Sequence, residues 1–153
     1  MKFLKYIALA LLTLVVTGTE AKTVKVPHVY LFGFSASFQD SLVFFTDIQD
    51  IPNAWYDKKT KFLAGRDTYS EQLKTFLTEQ GAPNRVCMVF FSTNKSKLEK
   101  RYLKLRKKYM ATPKKKKKSK RKKAAEGKGT VPFSYDIRYI AGQDFQFTPF
   151  DME

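Results

Sequence analysis

Basic side chains dominate the chemistry that this sequence offers, and they are concentrated in residues 94–123. This stretch holds 17 of the 29 Lys and Arg residues and a single acid, Glu99, so its net charge is +16. The whole chain carries +15, which leaves the other residues close to neutral. A segment of this charge density attracts polyanions by counterion release and by long-range steering. The sequence therefore predicts a polyanion-binding region.

The residues predicted to contact a polyanion form two groups. One group belongs to a predicted helix that ends near Met110. The other is a lysine run, residues 114–123, in which nine of the ten positions are cations. The run has no aromatic residue on which a base could stack, so it predicts no base-specific recognition. The predicted contact residues are Lys100, Arg101, Lys104, Arg106, Lys107, Lys108, Lys114, Lys115, Lys116, Lys117, Lys118, Lys120, Arg121, Lys122 and Lys123.

The lysine run has two other interpretations. It can be solvated charge that confers solubility or marks a dispensable insertion, with no binding role. It can also be a nuclear-targeting signal, which fits poorly with the export that the N-terminus predicts. We favour polyanion binding, because a loop of about 20 residues without periodic structure is uncommon inside a compact domain unless it has a function.

Few residues in the sequence offer catalytic chemistry. His28 and Cys87 are the only histidine and cysteine, and a Cys–His pair would make a nucleophile, but Cys87 lies in an apolar run where a thiol behaves as a small hydrophobe. Ser35 and Ser37 lack the following glycine of a nucleophile elbow. No spacing typical of zinc, calcium or phosphate loops occurs. We therefore predict no catalytic residue, no metal site and no cofactor.

Trp55 and Tyr56 are a further candidate. They adjoin Lys58, Lys59 and Lys61 in a segment without clear periodicity, so they could line a ligand site. We favour the alternative that these rings anchor the segment to the core.

The N-terminus has the three parts of a secretory signal peptide. Lys2 and Lys5 precede an apolar run at residues 6–16, and Thr19 and Ala21 occupy the −3 and −1 positions of a cleavage site. The apolar run is too short for a membrane span, which needs about 20 residues. We predict a signal peptide at residues 1–21, an exported periplasmic or extracellular domain at residues 22–153, and no membrane span after cleavage.

Periodicity and turn residues predict four strands and two helices. Apolar, β-branched and aromatic runs predict strands at residues 28–36, 41–49, 85–92 and 131–140. In the last strand, the residues predicted to face inward are Phe133, Tyr135, Ile137 and Tyr139. Apolar stripes predict helices at residues 68–81 and from Ser96 to about Met110. Capping boxes at Thr68/Glu71 and Ser96/Glu99 would begin them, and Gly81 would end the first.

The remaining segments are predicted to be irregular. We expect a loop at residues 50–66 and a disordered lysine-rich loop at residues 111–130, where like charges repel and nothing is apolar enough to be buried. Three phenylalanines near the C-terminus predict that this end is held against the body, with a short edge strand as one arrangement: Phe145, Phe147 and Phe150.

The order β-β-α-β-α-β predicts an α+β fold: a single two-layer domain with a mixed four- to five-stranded sheet and two helices on one face. Each helix could be a right-handed crossover between parallel neighbouring strands. The first and third predicted strands are apolar on both sides, so something else, such as the long loop or the C-terminal tail, would have to cover the second face.

Three hypotheses for function arise from these patterns. The first is an exported, non-enzymatic binding protein whose cationic helix and lysine run contact envelope phosphate groups, acidic polysaccharide or nucleic acid. The second is a structural or accessory subunit of a cell-envelope assembly, which binds a protein partner through its sheet while the lysine run is incidental. The third is a small hydrolase with an unrecognised site.

We expect N-terminal sequencing of the exported protein to begin at Lys22 or within one or two residues of it, because Thr19 and Ala21 fit the cleavage rule for small residues. Recovery of a chain that retains Met1 from the membrane fraction would contradict this prediction.

Overall fold

Six strands and two helices make up the part of the chain that the computed structural model describes, residues 22–111 and 134–152. The α+β class, the mixed sheet and the two helices are confirmed, and the sheet has six strands where four or five were predicted. The elements are β1 (Thr23–Ala36), β2 (Leu42–Thr46), β3 (Gln49–Asp57), β4 (Phe62–Leu63), α1 (Arg66–Glu79), β5 (Val86–Ser92), α2 (Lys95–Met110) and β6 (Asp136–Ile140).

The 14-residue strand β1 is the centre of the sheet. Its first part pairs with β3 and its last residues pair with β2, both antiparallel. Because Phe34 lies opposite both Phe45 of β2 and Met88 of β5, β2 and β5 must occupy opposite edges of β1. The strands β3 and β2 follow each other along one edge of β1, with β4 beyond β3 and β6 beyond β2, and β5 lies on the other edge. The strand β6 is parallel to β2.

The helices do not join parallel neighbouring strands, the arrangement that the sequence suggested. The helix α1 connects β4 to β5. These two strands are antiparallel, because β4 is antiparallel to β3, and β3 and β5 both run antiparallel to β1, which lies between them. The helix α2 connects β5 to β6, which are parallel, with β1 and β2 between them. Each helical connection therefore crosses over at least one intervening strand.

The two helices lie against opposite faces of the sheet, whereas the sequence predicted both on one face. Val29 and Leu31 of β1 belong to the core cluster that contains the buried residues of α1. Phe32 and Phe34 belong to a second cluster with Leu98 of α2. Successive side chains of a strand point to opposite faces, so α1 and α2 cover different sides. This arrangement explains why β1 is apolar on both faces.

The C-terminal tail packs on the α1 face, which confirms that this end is held against the body. The side chain of Gln49 donates a hydrogen bond to the carbonyl of Phe145 and accepts one from the amide of Phe147. Gln72 of α1 makes the same pair of bonds with the backbone of Thr148. The described tail residues after β6 form no strand.

The loop predicted at residues 50–66 is wrong, because β3 and β4 occupy most of it. Pro52 and the absence of a regular apolar period hid β3. The pairing passes from Val26↔Ala54 to His28↔Pro52, so one residue on each strand is left out of the ladder. The skipped residue of β3, Asn53, has a φ of 52°. Proline is tolerated at such irregularities.

Neither predicted capping box forms. The helix α1 begins two residues earlier than predicted, after Gly65, which has a φ of 69° and provides no side-chain cap. A Cβ on Gly65 would lie 2.2 Å from the ring of Phe150 in the tail. The helix α2 is capped by Asn94, whose Oδ1 accepts the amide of Lys97 at 3.0 Å. Gly81 has a φ of 80° at the end of α1, as predicted.

The last strand is shorter than its predicted span in the described residues, starting at Asp136. Ile137 packs on the α2 face. The rings of Tyr135 and Tyr139 contact Tyr109 and Phe45 on the same face, as predicted, but they remain 41% and 53% exposed. Phe133, the lysine-rich segment from residue 112 to 130 and the predicted signal peptide lie outside the described residues.

We expect Leu98→Ala to lower the free energy of unfolding by about 2–5 kcal/mol, the usual cost of a cavity at a fully buried leucine, because Leu98 is only 1% exposed. Urea unfolding measures this change. The matched control on the same helix is Leu103→Ala, since Leu103 is 52% exposed and should change stability by no more than about 0.5 kcal/mol. Equal effects of the two variants would contradict the orientation of α2.

Candidate polyanion-binding surface

The helix α2 is fixed to the sheet by aromatic packing. Its apolar stripe, Leu98, Tyr102, Leu105 and Tyr109, belongs to the core cluster on this face. The ring of Tyr102 meets Phe32 edge-on, with the ring centroids 4.9 Å apart. The ring of Tyr109 packs on Phe34 at a centroid distance of 5.0 Å. Because this stripe is used in packing, the other side chains of α2 are held in defined positions around it.

The rest of α2 carries positive charge that is almost uncompensated. The helix contains eight cations and one acid, Glu99. Within residues 22–111 and 134–152, all ion pairs involve other parts of the chain, so none of these eight cations is paired. We call the eight cations the α2 surface: Lys95, Lys97, Lys100, Arg101, Lys104, Arg106, Lys107 and Lys108.

The structure brings the six predicted contact residues of α2 to different sides of the helix. Residues spaced three or four apart lie on one side, which defines a basic flank of Lys97, Arg101, Lys104 and Lys108. The Arg101 guanidinium lies 4.9 Å from the ring centroid of Phe90, which places this flank beside β5. Arg106 is half-buried on the opposite flank, and Lys100 and Lys107 lie on the outermost side.

Sequence analysis missed an apolar patch on the α2 surface. Leu103 and Met110 are 52% and 60% exposed, and they border a shallow cavity of about 400 Å³ together with Arg106 and Lys107. Their spacing of seven residues, outside the buried stripe, was the available signal. This spacing does not predict an exposed patch by itself, because the sequence does not show that this flank of α2 is left uncovered by the other described elements.

Sequence analysis named Lys61 only beside Trp55 and Tyr56 and missed its position next to α2. This residue follows β3, yet it lines a cavity of about 530 Å³ with Lys97 and Arg101 at the beginning of α2. Only the fold brings it there, because 36 residues separate it from Lys97 in the sequence. Lys61 therefore extends the α2 surface along the sheet.

The second group of predicted contact residues lies outside the described part of the chain. These residues are Lys114, Lys115, Lys116, Lys117, Lys118, Lys120, Arg121, Lys122 and Lys123. Their run starts four residues after the last residue of α2, Met110. Along the chain, it therefore continues directly from the α2 surface.

The two residues considered for nucleophilic chemistry do not meet. Cys87 lies opposite Ser35, seven residues along β1 from His28, which is roughly 23 Å at about 3.3 Å per residue. The Nδ1 atom of His28 instead contacts the carboxylate of Asp50 at 2.8 Å. Burial raises the pKa of the Cys87 thiol, which keeps it protonated and unreactive near neutral pH.

Trp55 and Tyr56 lie in β3, on opposite sides of that strand. Tyr56 is buried in the core on the α1 face. Trp55 is half-buried, and its indole N–H donates to the carboxylate of Asp151 at 2.8 Å. Both rings therefore hold structure together, in a strand rather than in the predicted loop.

Two further properties concern residues 22–111 and 134–152. They contain no group of three or more His, Cys, Asp and Glu side chains placed to hold a metal ion. None of their helices combines the length and apolar character that a membrane crossing requires.

Comparisons with protein-family models, curated proteins and solved structures found no match to this chain. A functional assignment therefore rests on the geometry and charge of the molecule itself.

Alkaline pH should destabilise the attachment of α2. Burial raises the pKa of Tyr102 and Tyr109 above the ordinary 10.0. The folded state therefore holds these phenolic protons more tightly than the unfolded state, so this stabilisation is present below pH 10 and is lost as the pH rises above it. We expect the urea midpoint to fall between about pH 9 and 11, the interval in which an unperturbed phenol ionises.

The double variant Tyr102→Phe/Tyr109→Phe is the control, because it keeps the rings and removes the titrating groups. Its midpoint should fall less over the same pH interval, although Tyr56 and Tyr69, whose pKa values are also raised, still titrate. Identical pH profiles for the two proteins would contradict the assigned role of Tyr102 and Tyr109.

Proposed function

We propose that this protein is a small, exported, non-enzymatic binding protein whose α2 surface and lysine run contact anionic surfaces or polymers. One observation carries the proposal. Eight cations project from a helix that contains a single acid, and none of the eight is paired within the described residues. Positive charge of this density without partners is a cost to the isolated protein, since like charges repel.

The rigidity of α2 supports binding rather than simple solvation. The aromatic packing of Tyr102 and Tyr109 fixes the helix axis, so its cations form a rod about 24 Å long at about 1.5 Å per residue. An anionic polymer can follow such a rod without forcing the protein to reorganise. The lysine ammonium groups are exposed to water and can contact a polyanion without losing much of their hydration. Affinity would therefore come mainly from counterion release.

The composition of the α2 surface indicates how well it would distinguish one polyanion from another. Six of the eight cations on α2 are lysines, which act as point charges without the bidentate geometry of arginine. Selectivity among polyanions would therefore be low. Envelope phosphate groups, acidic polysaccharide and nucleic acid share the required chemistry, which is a row of closely spaced anionic groups.

We expect the wild-type protein to be retained on heparin and phosphocellulose and to need substantial salt for elution. The double variant Lys100→Gln/Lys104→Gln should elute earlier. On duplex DNA it should reduce the magnitude of the slope of log affinity against log salt by about 2, at roughly 0.9 for each phosphate no longer neutralised. Fluorescence anisotropy with a labelled duplex at several salt concentrations measures the slope.

The matched control is Lys58→Gln/Lys59→Gln, which removes the same charge from exposed residues after β3. Its slope should stay close to that of wild type. A third variant replaces the nine cations of the lysine run by Gln and should flatten the slope further. Equal slopes for Lys100→Gln/Lys104→Gln and Lys58→Gln/Lys59→Gln would show that only the net charge of the protein matters. A slope that stays at the wild-type value when the lysine run is replaced would remove the run from the proposal.

The second hypothesis, an accessory subunit that binds a protein partner through the sheet, is favoured by a different observation. The outer edge of β5 pairs with no other strand in the described residues. This edge adjoins Arg101 of the α2 surface, whereas Lys100 and Lys107 lie on the outermost side of the helix.

A further inference from the structure

The strand β5 has the composition of an interior strand, but its outer edge pairs with no strand in the part of the chain that the structure describes. Its residues, Val86–Ser92, include no charge and no proline, which are the usual devices that keep edge strands from pairing. β5 pairs with β1 along one side, and no strand of residues 22–111 or 134–152 pairs with the other. Val86 and Met88 are 49% and 40% exposed. Such an edge is a template for an added strand.

The backbone groups that are free on this edge can be identified. The Gly33 amide donates to Thr46 Oγ1 at 2.8 Å, so it points toward the β2 side of β1. Backbone amides of successive strand residues point to opposite edges, and the amide of Phe34 therefore points toward its partner in β5, Met88. By the same alternation, the β5 residues that direct their N–H and C=O outward are Cys87, Val89 and Phe91.

A groove runs along this edge with room for another chain. Its volume is about 1070 Å³, and an added strand would lie about 4.8 Å from β5. One wall is formed by the first turns of α1, including Arg66, Ser70 and Lys74, and Arg101 of α2 lines the other side. The free backbone groups of β5 lie between these walls.

Charge decides which occupant fits the groove. The α1 wall is mixed, with Asp67 and Glu71 beside Arg66 and Lys74, and Lys74 is already paired with Glu71 at 3.3 Å. The α2 wall is cationic, because Arg101 belongs to the basic flank. A second copy of this chain paired through β5 would bring two basic flanks together. The lysine run of this chain would be repelled in the same way.

We propose that the outer edge of β5 binds an extended acidic segment of a partner protein as an added strand. The segment would bond to the backbone of Cys87, Val89 and Phe91 and direct carboxylates at alternate positions toward the basic flank. Its other side chains would face α1 and be apolar or uncharged, since Cys87 and Val89 lie on that side. This inference does not depend on the polyanion binding proposed for α2.

Amide hydrogen exchange by NMR tests the proposal on the wild-type protein. The probe is an end-capped octapeptide of four Glu-Val repeats. Without the probe, the amides of Cys87, Val89 and Phe91 should exchange rapidly, and saturating probe should slow them at least tenfold. The amides of Met88 and Phe90, already bonded to β1, are internal controls and should change little. Slow exchange of the three outward amides in the free protein, or no effect of the probe on them, would overturn the proposal.

N-methylated probes separate strand addition from charge attraction. One isomer carries N-methyl groups on every Glu and the other on every Val, and both keep the charge of the parent. An added strand uses the amides of alternate residues, so one isomer should lose at least tenfold in affinity while the other retains most of it. Equal binding by both isomers and the parent would show charge attraction alone and overturn the proposal.

Two further measurements fix the identity of the occupant. An octapeptide of four Lys-Val repeats should not bind, because the basic flank repels it, and binding equal to that of the Glu-Val probe would overturn the acidic assignment. Sedimentation equilibrium should show a monomer. A dimer that the Glu-Val probe dissociates would assign the edge to a second copy and overturn the choice of partner.

Discussion

The burial of β1 on both faces is the constraint on which the rest of the structure depends. Val29 and Leu31 are fully buried on one side of this strand, and Phe32 is fully buried on the other. A strand of this kind is stable only when both faces are covered. In this protein one helix lies on each side of β1, and the connections that carry the helices pass over β1 rather than join neighbouring strands. The positions of both helices thus meet this requirement.

The two faces of β1 are covered by different elements, and only the element on the second face carries a high density of positive charge. On one side, α1 and the C-terminal tail cover the sheet together, with Gln49 and Gln72 satisfying the backbone of the tail. On the other side, α2 packs on the sheet through the large rings of its tyrosines. Long aromatic side chains let one narrow stripe of the helix make the whole attachment, so most of its circumference is left for Lys and Arg.

The sequence predicted the elements with strong periodicity and failed where a tertiary contact decides the outcome. The stripes of α1 and α2 identified both helices, and the aromatic runs identified β1 and β5. The strand β3 was missed because Pro52 and the irregular pairing near Asn53 break its alternation. The beginning of α1 is set by Phe150, which packs against Gly65 from 85 residues away, and no local signal reveals this. The two-sided burial of β1 was visible in the sequence, but periodicity alone cannot say which helix covers which face.

For the binding surface, the charges of α2 could be read directly from the sequence, whereas the positions of Lys61 and of the open flank at Leu103 depend on the fold.

The contacts of the C-terminal tail have a consequence for the order of events during folding. The bonds from Gln49, Tyr69 and Gln72 to the tail span 76 to 98 residues of sequence. Contacts of such high sequence separation form slowly, because the entropy of closing a long loop is lost before they stabilise anything. The core under α1 also stays incomplete until Phe147 joins it. Closure of the tail over α1 is therefore a late step in folding, and the face that the tail covers stays open to water until then.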